Sequence, residues 1–564
     1  MPDQVIKTQN VSVFGVDYLH VQLACGDELY ITRYGIPYVK NLMPDNFWSD
    51  REWFKNNSVK LFGHLRKYGG TSAIYRVKTK TVDGRHKDIV LKWNRMGQDV
   101  PGDQEESDMH DAEFNSPYEE FGLVMEVRDS RKSLSRKILT HKPMAIYVPS
   151  EKVELWQTGR KEHKMKDKIK SHKNINLDMF RSYAVIYEWI KGIDAVEAHE
   201  HGLFSEEVMK NLTLRAESEL QTKGYTVKDR KPHHVIVRQD KEGQVLKLKD
   251  GNIAYALVDF ELLDRTPEQE ALVRRERRKD YLKRQARRFD ASGENSFPAN
   301  LKHVNIMGVD YVYGRAKSTN GALWIVGRDP KLFDYFLPER WRMCPRTKLS
   351  AFNQTYQTVT KDNISLVWKV SRVGERPDAD PFKFEEKRIL QHGYNSPFEE
   401  VALALELKNK DIPTTYPRAI YMTGHETDLG PDLFDESRYE SHKEILTPDG
   451  MPVLRKERDY IIIWGYWNKP DEMLAEDDTD YYQSIDALRA YRESVIDESV
   501  YMQLMFYAKE RLVFVGVEDL NLRGDHLLLS LNAAGELIKD SNGMPQMRIC
   551  SFEMLRRVKT ACPV

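Results

Sequence analysis

The sequence predicts an α+β protein made of two tandem copies of one two-lobed domain, in which a β-rich first lobe precedes a short helical second lobe. Two observations lead to this fold class. Similar motifs recur in the same order at an offset of about 270 to 295 residues, and strand-like segments precede helix-like ones in the first copy. The chain has 564 residues, which is more than one core normally holds, so roughly two to four domains are expected.

The repeated motifs agree in residue type as well as in order. Residues 115–120 read NSPYEE, and residues 395–400 read NSPFEE. The other matched segments are 15–18 and 308–311, 89–92 and 366–369, 143–148 and 417–422, 183–187 and 460–464, and 259–263 and 551–555. Ordered matches of this kind indicate duplication of a whole domain. We therefore expect domains at residues 1–295 and 300–564, with the boundary in the Ser-, Gly- and Pro-containing segment 290–300.

The elements of the first copy follow from local patterns. Residues 73–80 and 88–93 predict strands around a turn at Asp83-Gly84. Ser116-Pro117 followed by two glutamates predicts a helix start, and the helix should run to about Ser133. The remaining expected elements are strands at 144–148 and 184–189, a helix at 205–222, a strand pair at 235–238 and 256–260, and a charged helix at 267–289.

Two sequence features could contact the phosphates of a nucleotide. Gly69, Gly70, Thr71 and Ser72 precede a predicted strand, where glycines let backbone N–H groups approach phosphate oxygens. The same pattern is also typical of a hairpin turn. Lys92 lies on an apolar strand, and Glu120 (or Glu119) lies on the following helix. A lysine held by a helix glutamate can pair with phosphates, although an ordinary surface lysine and two helix-stabilising acids would give the same pattern.

Two further features could carry out and support phosphoryl transfer. Asp229 could accept a hydroxyl proton, Lys231 could steady the transferred group, and His234 could face a metal ion. Asp259 ends an apolar strand, where burial of a carboxylate needs compensation that Mg²⁺ bound to ATP would provide. The alternatives are a polar turn before a strand and a hydrogen-bonded structural aspartate.

With these four features in order, the chain resembles the protein-kinase-like superfamily. Residues 229–234 resemble the DLKPEN form of its catalytic loop, residues 259–260 the start of its DFG motif, and residues 69–77 its Gly-rich loop. The likeness covers residues 60–265 and, more faintly, 345–555. It implies ATP and Mg²⁺ as cofactors. The implied roles are phosphate contact by Lys92 held by Glu120, catalytic base for Asp229, magnesium ligand for Asp259, and adenine binding by the backbone around Glu188 and Ile190.

Departures from the family pattern narrow the resemblance. His234 stands at the family's metal-binding Asn position, and Glu261 replaces the DFG glycine. No HRD histidine or arginine precedes Asp229, and no APE-like motif follows Asp259. The chain is therefore more similar to compact, atypical bacterial members, the RIO-like, lipopolysaccharide core and aminoglycoside kinases. The implied activity is an ATP-dependent kinase with a protein or saccharide hydroxyl as acceptor. The alternative is a non-catalytic nucleotide-binding or scaffold protein with two inactive copies.

The second copy lacks residues that the transfer needs. Asn521 aligns with Asp229, and Ser551 aligns with Asp259. Residues 352–359 replace the Gly-rich loop without a glycine, whereas Lys369 and Glu400 remain. The sequence thus predicts a pseudokinase in the second half, with a supporting, regulatory or docking role.

Composition bears on partners and location. The net charge is −1 and the pI is near 7, so neither nucleic acid nor a membrane surface is expected as a partner. Two basic runs, 160–173 and 274–288, are interpreted as solvated helix faces. No signal peptide or membrane span is recognisable, and the four cysteines form no CxxC pair, so a cytoplasmic location is expected.

Overall fold

The computed structural model contains two compact units, Met1–Val273 (unit 1) and Arg274–Val564 (unit 2). The residues that it describes are 5–61, 73–100, 112–129, 138–172, 177–240, 242–290, 297–298, 300–316, 319–350, 353–427, 434–466, 484–532 and 534–558. Within these ranges, no helix combines the length and the apolar character that crossing a bilayer requires.

Unit 1 is built on an eight-stranded sheet with the order β1-β2-β3-β8-β9-β6-β5-β4. Unit 1 also contains two smaller sheets, β10-β12-β13-β7 and β11-β14. The strands are β1 (Val5–Val13), β2 (Val16–Leu23), β3 (Glu28–Thr32), β4 (Ser58–Leu61), β5 (Ile74–Lys78), β6 (Asp88–Trp93), β7 (Leu139–Thr140), β8 (Pro143–Val148), β9 (Ala184–Glu188), β10 (Ile193–Asp194), β11 (Tyr225–Val227), β12 (Val235–Val237), β13 (Tyr255–Leu257) and β14 (Leu263–Arg265).

The helices of unit 1 are α1 (Arg51–Asn57), α2 (Pro117–Asp129), α3 (Leu155–Thr158), α4 (Glu162–Ser171), α5 (Ala195–Glu200), α6 (Glu206–Thr222) and α7 (Pro267–Ala286), the last of which crosses into unit 2. Helices pack on both faces of the large sheet, with α2 on one face and α1 on the other. The predicted start of α2 is confirmed: the Ser116 hydroxyl accepts from the Glu119 N–H, and the Glu119 carboxylate accepts from the Ser116 N–H. The described part of α2 ends at Asp129, and the expected extension to Ser133 lies outside the described residues.

The four strands predicted for the large sheet are confirmed as β5, β6, β8 and β9, and the predicted strand pair is confirmed as β12 and β13. In β6, Ile89 and Leu91 are buried in a core with Leu29 and Phe47. Because strand side chains alternate, Lys92 faces the opposite side of the sheet, where α2 packs. The alternation of side chains along β6 thus places Lys92 on the face of the sheet that α2 covers.

Unit 2 contains an eight-stranded sheet with the order β15-β16-β17-β21-β22-β20-β19-β18. Its strands are β15 (Leu301–Ile306), β16 (Val309–Ala316), β17 (Gly321–Val326), β18 (Arg346–Lys348), β19 (Thr355–Val359), β20 (Ser365–Val370), β21 (Tyr416–Met422), β22 (Tyr460–Gly465), β23 (Ser484–Asp486), β24 (Val517–Asp519), β25 (Leu527–Ser530), β26 (Met547–Ile549) and β27 (Leu555–Arg557). Its helices are α8 (Pro338–Trp341), α9 (Phe384–His392), α10 (Pro397–Asn409), α11 (Ser437–His442), α12 (Ala487–Arg492) and α13 (Glu498–Phe514).

The two large sheets share their strand order and their register. In chain order, each places its first three strands at one edge, its fourth to sixth strands at the other, and its last two strands between them. Both also carry a register shift after the proline that precedes the matched AIY segment. Lys92 pairs with Val185 in unit 1, as Lys369 pairs with Ile462 in unit 2. In the same way, Ala145 pairs with Ile186, and Ala419 pairs with Ile463.

The basic run of α7 is a structural element of unit 2. Arg277 binds Asp334 at 2.8 Å and Asp362 at 2.5 Å, and Tyr281 is buried in the core. Arg278 and Arg288 are also buried. The interpretation of this run as a solvated face is therefore wrong for the side that packs on the sheet, because aspartates of unit 2 neutralise part of its charge.

Candidate active site

Lys92 lies at the centre of a buried charge cluster in unit 1. Its ammonium is 2.6 Å from Asp259 Oδ1 and 3.0 Å from Glu261 Oε2, and the residue is only 5% exposed. Burial alone would lower the pKa of Lys92, but the two carboxylates outweigh it and raise the pKa above its ordinary value. The fold thus brings together residues that are 167 positions apart in the chain.

Asp259 follows β13 in a left-handed backbone conformation, with a φ of 63°. Its second carboxylate oxygen is 3.6 Å from Nε2 of His234. Burial opposes ionisation of Asp259, but Lys92 and His234 outweigh burial and hold its pKa well below the usual range. Asp259 is therefore a charged carboxylate that lies between a lysine and an imidazole. Such a carboxylate could also bind a metal cation.

His234 ends the short 3-10 turn Pro232–His234 before β12. Burial lowers the pKa of His234 in spite of the nearby Asp259 carboxylate, so the imidazole is neutral at physiological pH. Its Nδ1 is buried and has no hydrogen-bond partner among the described residues. A neutral imidazole can donate a lone pair to a metal ion, although Mg²⁺ prefers oxygen.

The loop before this turn carries Asp229 and Lys231. Lys231 Nζ is 2.8 Å from Asp229 Oδ1, and the Asp229 side chain is 30% exposed. Arg230 points the other way and donates to the Val258 carbonyl at 3.3 Å, next to Asp259. The loop therefore lies beside the buried cluster with its carboxylate accessible to solvent.

Glu120 does not form the expected ion pair with Lys92. Among the described contacts, it accepts a hydrogen bond from the Tyr187 hydroxyl at 2.6 Å, and the lysine binds Asp259 and Glu261 instead. Burial raises the pKa of Glu120 to about 7, although Lys92 opposes the shift. Glu120 thus acts on the lysine only at longer range.

The motifs do not predict the contacts of Glu261, which in the sequence only departs from the family pattern. It is 5% exposed and accepts hydrogen bonds from the guanidinium of Arg95. The repeat contained the signal, because residues 92–95 and 369–372 both read Lys-x-x-Arg and residues 260–261 and 552–553 both read Phe-Glu.

The other expected nucleotide contacts are the Gly-rich segment before β5 and the chain at the end of β9. Gly69, Gly70, Thr71 and Ser72 lie outside the described residues, between the paired strands β4 and β5. Glu188 ends β9, its carboxylate binds Lys87 and Lys142, and its N–H donates to the Lys142 carbonyl. Ile190 follows two residues later on the chain that leads to the second lobe.

The corresponding cluster of unit 2 lacks two members. Ser551 precedes Phe552-Glu553, and Asn521 lies before the 3-10 turn Gly524–His526. The Lys369 ammonium is 2.5 Å from Glu553 and 3.5 Å from Glu400. The lysine charge of unit 2 is therefore matched by protein carboxylates.

Comparisons with known proteins found similar solved structures, including the following three. A scan against protein-family models and a search of curated proteins found no match. One structure, WbdD with the kinase inhibitor LY294002, shows 12% identity, covers 37% of this chain and 37% of that chain, and has a TM-score of 0.16. A second structure of WbdD shows 13% identity, 37% and 38% coverage and a TM-score of 0.16.

Rad53 1–466 in complex with AMP-PNP shows 10% identity, covers 46% of this chain and 66% of that chain, and has a TM-score of 0.17. The present chain thus spans less than two fifths of each WbdD chain that it matches.

Proposed function

We propose that unit 1 is an ATP- and Mg²⁺-dependent kinase of the protein-kinase-like superfamily that transfers the γ-phosphoryl group to a hydroxyl. The observation that carries the proposal is the cluster of Lys92, Asp259 and His234, which come from a strand, a post-strand turn and a loop. Phosphoryl transfer depends on positioning and charge stabilisation, and this cluster supplies a cation for phosphates and a carboxylate for a metal ion.

The topology of the first lobe supports the same function. The strands β4, β5, β6, β9 and β8 lie side by side, and α2 follows the lysine strand β6. A kinase uses such an order to place a phosphate loop, a lysine strand, a helix glutamate and an adenine-binding segment around one nucleotide.

The residues present fit a bound Mg²⁺ in part. Mg²⁺ is usually held by one or two carboxylates together with phosphate oxygens and water. Asp259 is a charged carboxylate that meets this requirement, and His234 offers a nitrogen, which is the less suitable donor. When bound, Mg²⁺ would neutralise charge on the nucleotide phosphates.

The loop that carries Asp229 and Lys231 would act on the acceptor. Asp229 would accept the proton of the acceptor hydroxyl. At the same time the hydroxyl oxygen would bond to the γ-phosphorus, and the bond between the γ-phosphorus and ADP would break. Lys231, held beside Asp229, would steady the transferred group. The partial exposure of Asp229 leaves room for an acceptor.

The acceptor class is either a protein hydroxyl or a saccharide hydroxyl, as in lipopolysaccharide. In the described part of unit 1, β14 leads directly into α7, which leaves little chain for a peptide-binding platform and supports the saccharide. The presence of two units supports a protein acceptor.

For unit 2 we propose a pseudokinase that acts by contact, because Asn521 and Ser551 provide neither a base nor a metal carboxylate.

Two variants test this function. Asp229→Asn should lower the rate of transfer by about 10²- to 10⁴-fold and leave ATP binding nearly intact. Asp259→Ala should weaken Mg·ATP binding. Asn521→Ala in unit 2 is the matched control and should change neither quantity. Transfer by Asp229→Asn at the wild-type rate would show that the assignment is wrong.

A further inference from the structure

Glu261 is fixed more firmly than the other groups around Lys92. Both of its carboxylate oxygens accept hydrogen bonds from Arg95, and one of them is 3.0 Å from the lysine ammonium. A guanidinium that binds both oxygens of a carboxylate restricts its orientation. Arg95 follows Lys92 by three residues, so the arginine, the carboxylate and the lysine form one connected unit at the end of β6.

Glu120 has different contacts. One of its oxygens accepts from Tyr187, and the other is buried and has no hydrogen-bond partner among the described residues. No ion pair joins it to the lysine within the described part of unit 1, as shown above. The helix glutamate therefore does not fix the ammonium.

Unit 2 offers an internal comparison of the same contact. There the metal carboxylate is replaced by Ser551, yet Lys369 still lies 2.5 Å from Glu553. The lysine–glutamate contact thus persists without the aspartate. Lys369 also lies 3.5 Å from the helix glutamate Glu400, so Glu553 is the nearer of its two carboxylate partners.

We propose that Glu261 is the positioning residue for Lys92, in place of the helix glutamate, and this inference rests on the proposed kinase function of unit 1. Held by Arg95, Glu261 keeps the ammonium where nucleotide phosphates would meet it. Without Glu261, Asp259 would be the one ion-pair partner left to Lys92 in the described part of unit 1, and the ammonium would be drawn further toward the carboxylate that the metal ion needs. Positioning errors of about 1 Å can cost about 10²-fold in rate.

The test compares steady-state kinetics of the full chain for Glu261→Gln, Glu120→Gln and Arg95→Gln. We expect Glu261→Gln to lower kcat by about 10²-fold with a much smaller change in KM for ATP, because alignment matters most in the transition state. Arg95→Gln should lower kcat in the same way, and adding it to Glu261→Gln should cost little more. Glu120→Gln should have an effect about tenfold smaller than that of Glu261→Gln.

Glu553→Gln in unit 2 is the matched control, because it removes the same buried contact away from the chemistry. It should leave kcat unchanged. If Glu261→Gln does not fold, the kinetics of Arg95→Gln decide the matter. An active wild-type chain in which Glu120→Gln is the more damaged variant would overturn the assignment of Glu261 alone. An inactive wild-type chain would overturn the proposed function and this inference with it.

Discussion

His141 should make the stability of unit 1 depend on pH. Its ring stacks on Tyr187 with 3.5 Å between the ring centroids, and the residue is buried. Burial, reinforced by the nearby Lys92, lowers the pKa of His141 to about 3. In the unfolded chain the pKa returns to about 6.5. The folded state therefore holds a neutral imidazole that the unfolded state protonates first as the pH falls.

The sign and size of the effect follow from this difference. Between pH 6.5 and pH 3 the unfolded state binds more protons, so the free energy of unfolding decreases as the pH falls. From pH 7.5 to pH 5.0, His141 should account for a loss of about 2 kcal/mol. The stability contribution of the neutral ring is complete above the unfolded pKa.

The perturbation is His141→Phe, which keeps an aromatic ring and removes the titration. The free energy of opening is measured at both pH values by hydrogen exchange of β8 and β9 amides. The loss between pH 7.5 and pH 5.0 should be about 2 kcal/mol smaller in the variant. Any overpacking by the larger ring affects both pH values alike and cancels in this difference. An equal loss in wild type and variant would refute the reasoning.

Two further predictions concern unit 2. Asn395→Ala should lower its free energy of unfolding by about 2 to 4 kcal/mol, measured by urea denaturation, because the buried amide donates to the Phe552 and Leu555 carbonyls; a loss below 1 kcal/mol would contradict this. In the full chain, millimolar Mg·ATP should slow hydrogen exchange around β6 and leave β20 unchanged, since weak binding stabilises little; magnesium-dependent protection of β20 would overturn the pseudokinase proposal.

The fold could be predicted from the sequence to the extent that it depends on local patterns. The strand at Lys92 and the helix that begins after Ser116 follow from side-chain alternation and helix capping, which neighbouring residues determine. The strands β1 to β3 were not predicted, although apolar residues alternate with polar ones in parts of β1 and β2 around the Gly15 turn, which recurs at Gly308.

The partners of Lys92 could not be read from the sequence. Glu120, Asp259 and Glu261 are all carboxylates that could pair with the lysine. Which of them does so depends on their positions in the fold, where Arg95 holds Glu261 and Tyr187 holds Glu120. These positions are determined by packing between elements that are distant in the chain. For the same reason, the sequence did not show that Arg277 in the charged helix neutralises aspartates of unit 2.

The fate of labelled ATP tests the central claim most directly. The purified full chain would be incubated with Mg²⁺ and ATP labelled at the γ- or the α-phosphate, alone, with cell extract, and with a saccharide acceptor. The account predicts that label from the γ-position reaches an acceptor and that label from the α-position does not. Incorporation of the α-label would indicate nucleotidyl transfer. Absence of transfer from either position, with all acceptors present, would contradict the kinase function and favour a scaffold with two inactive units.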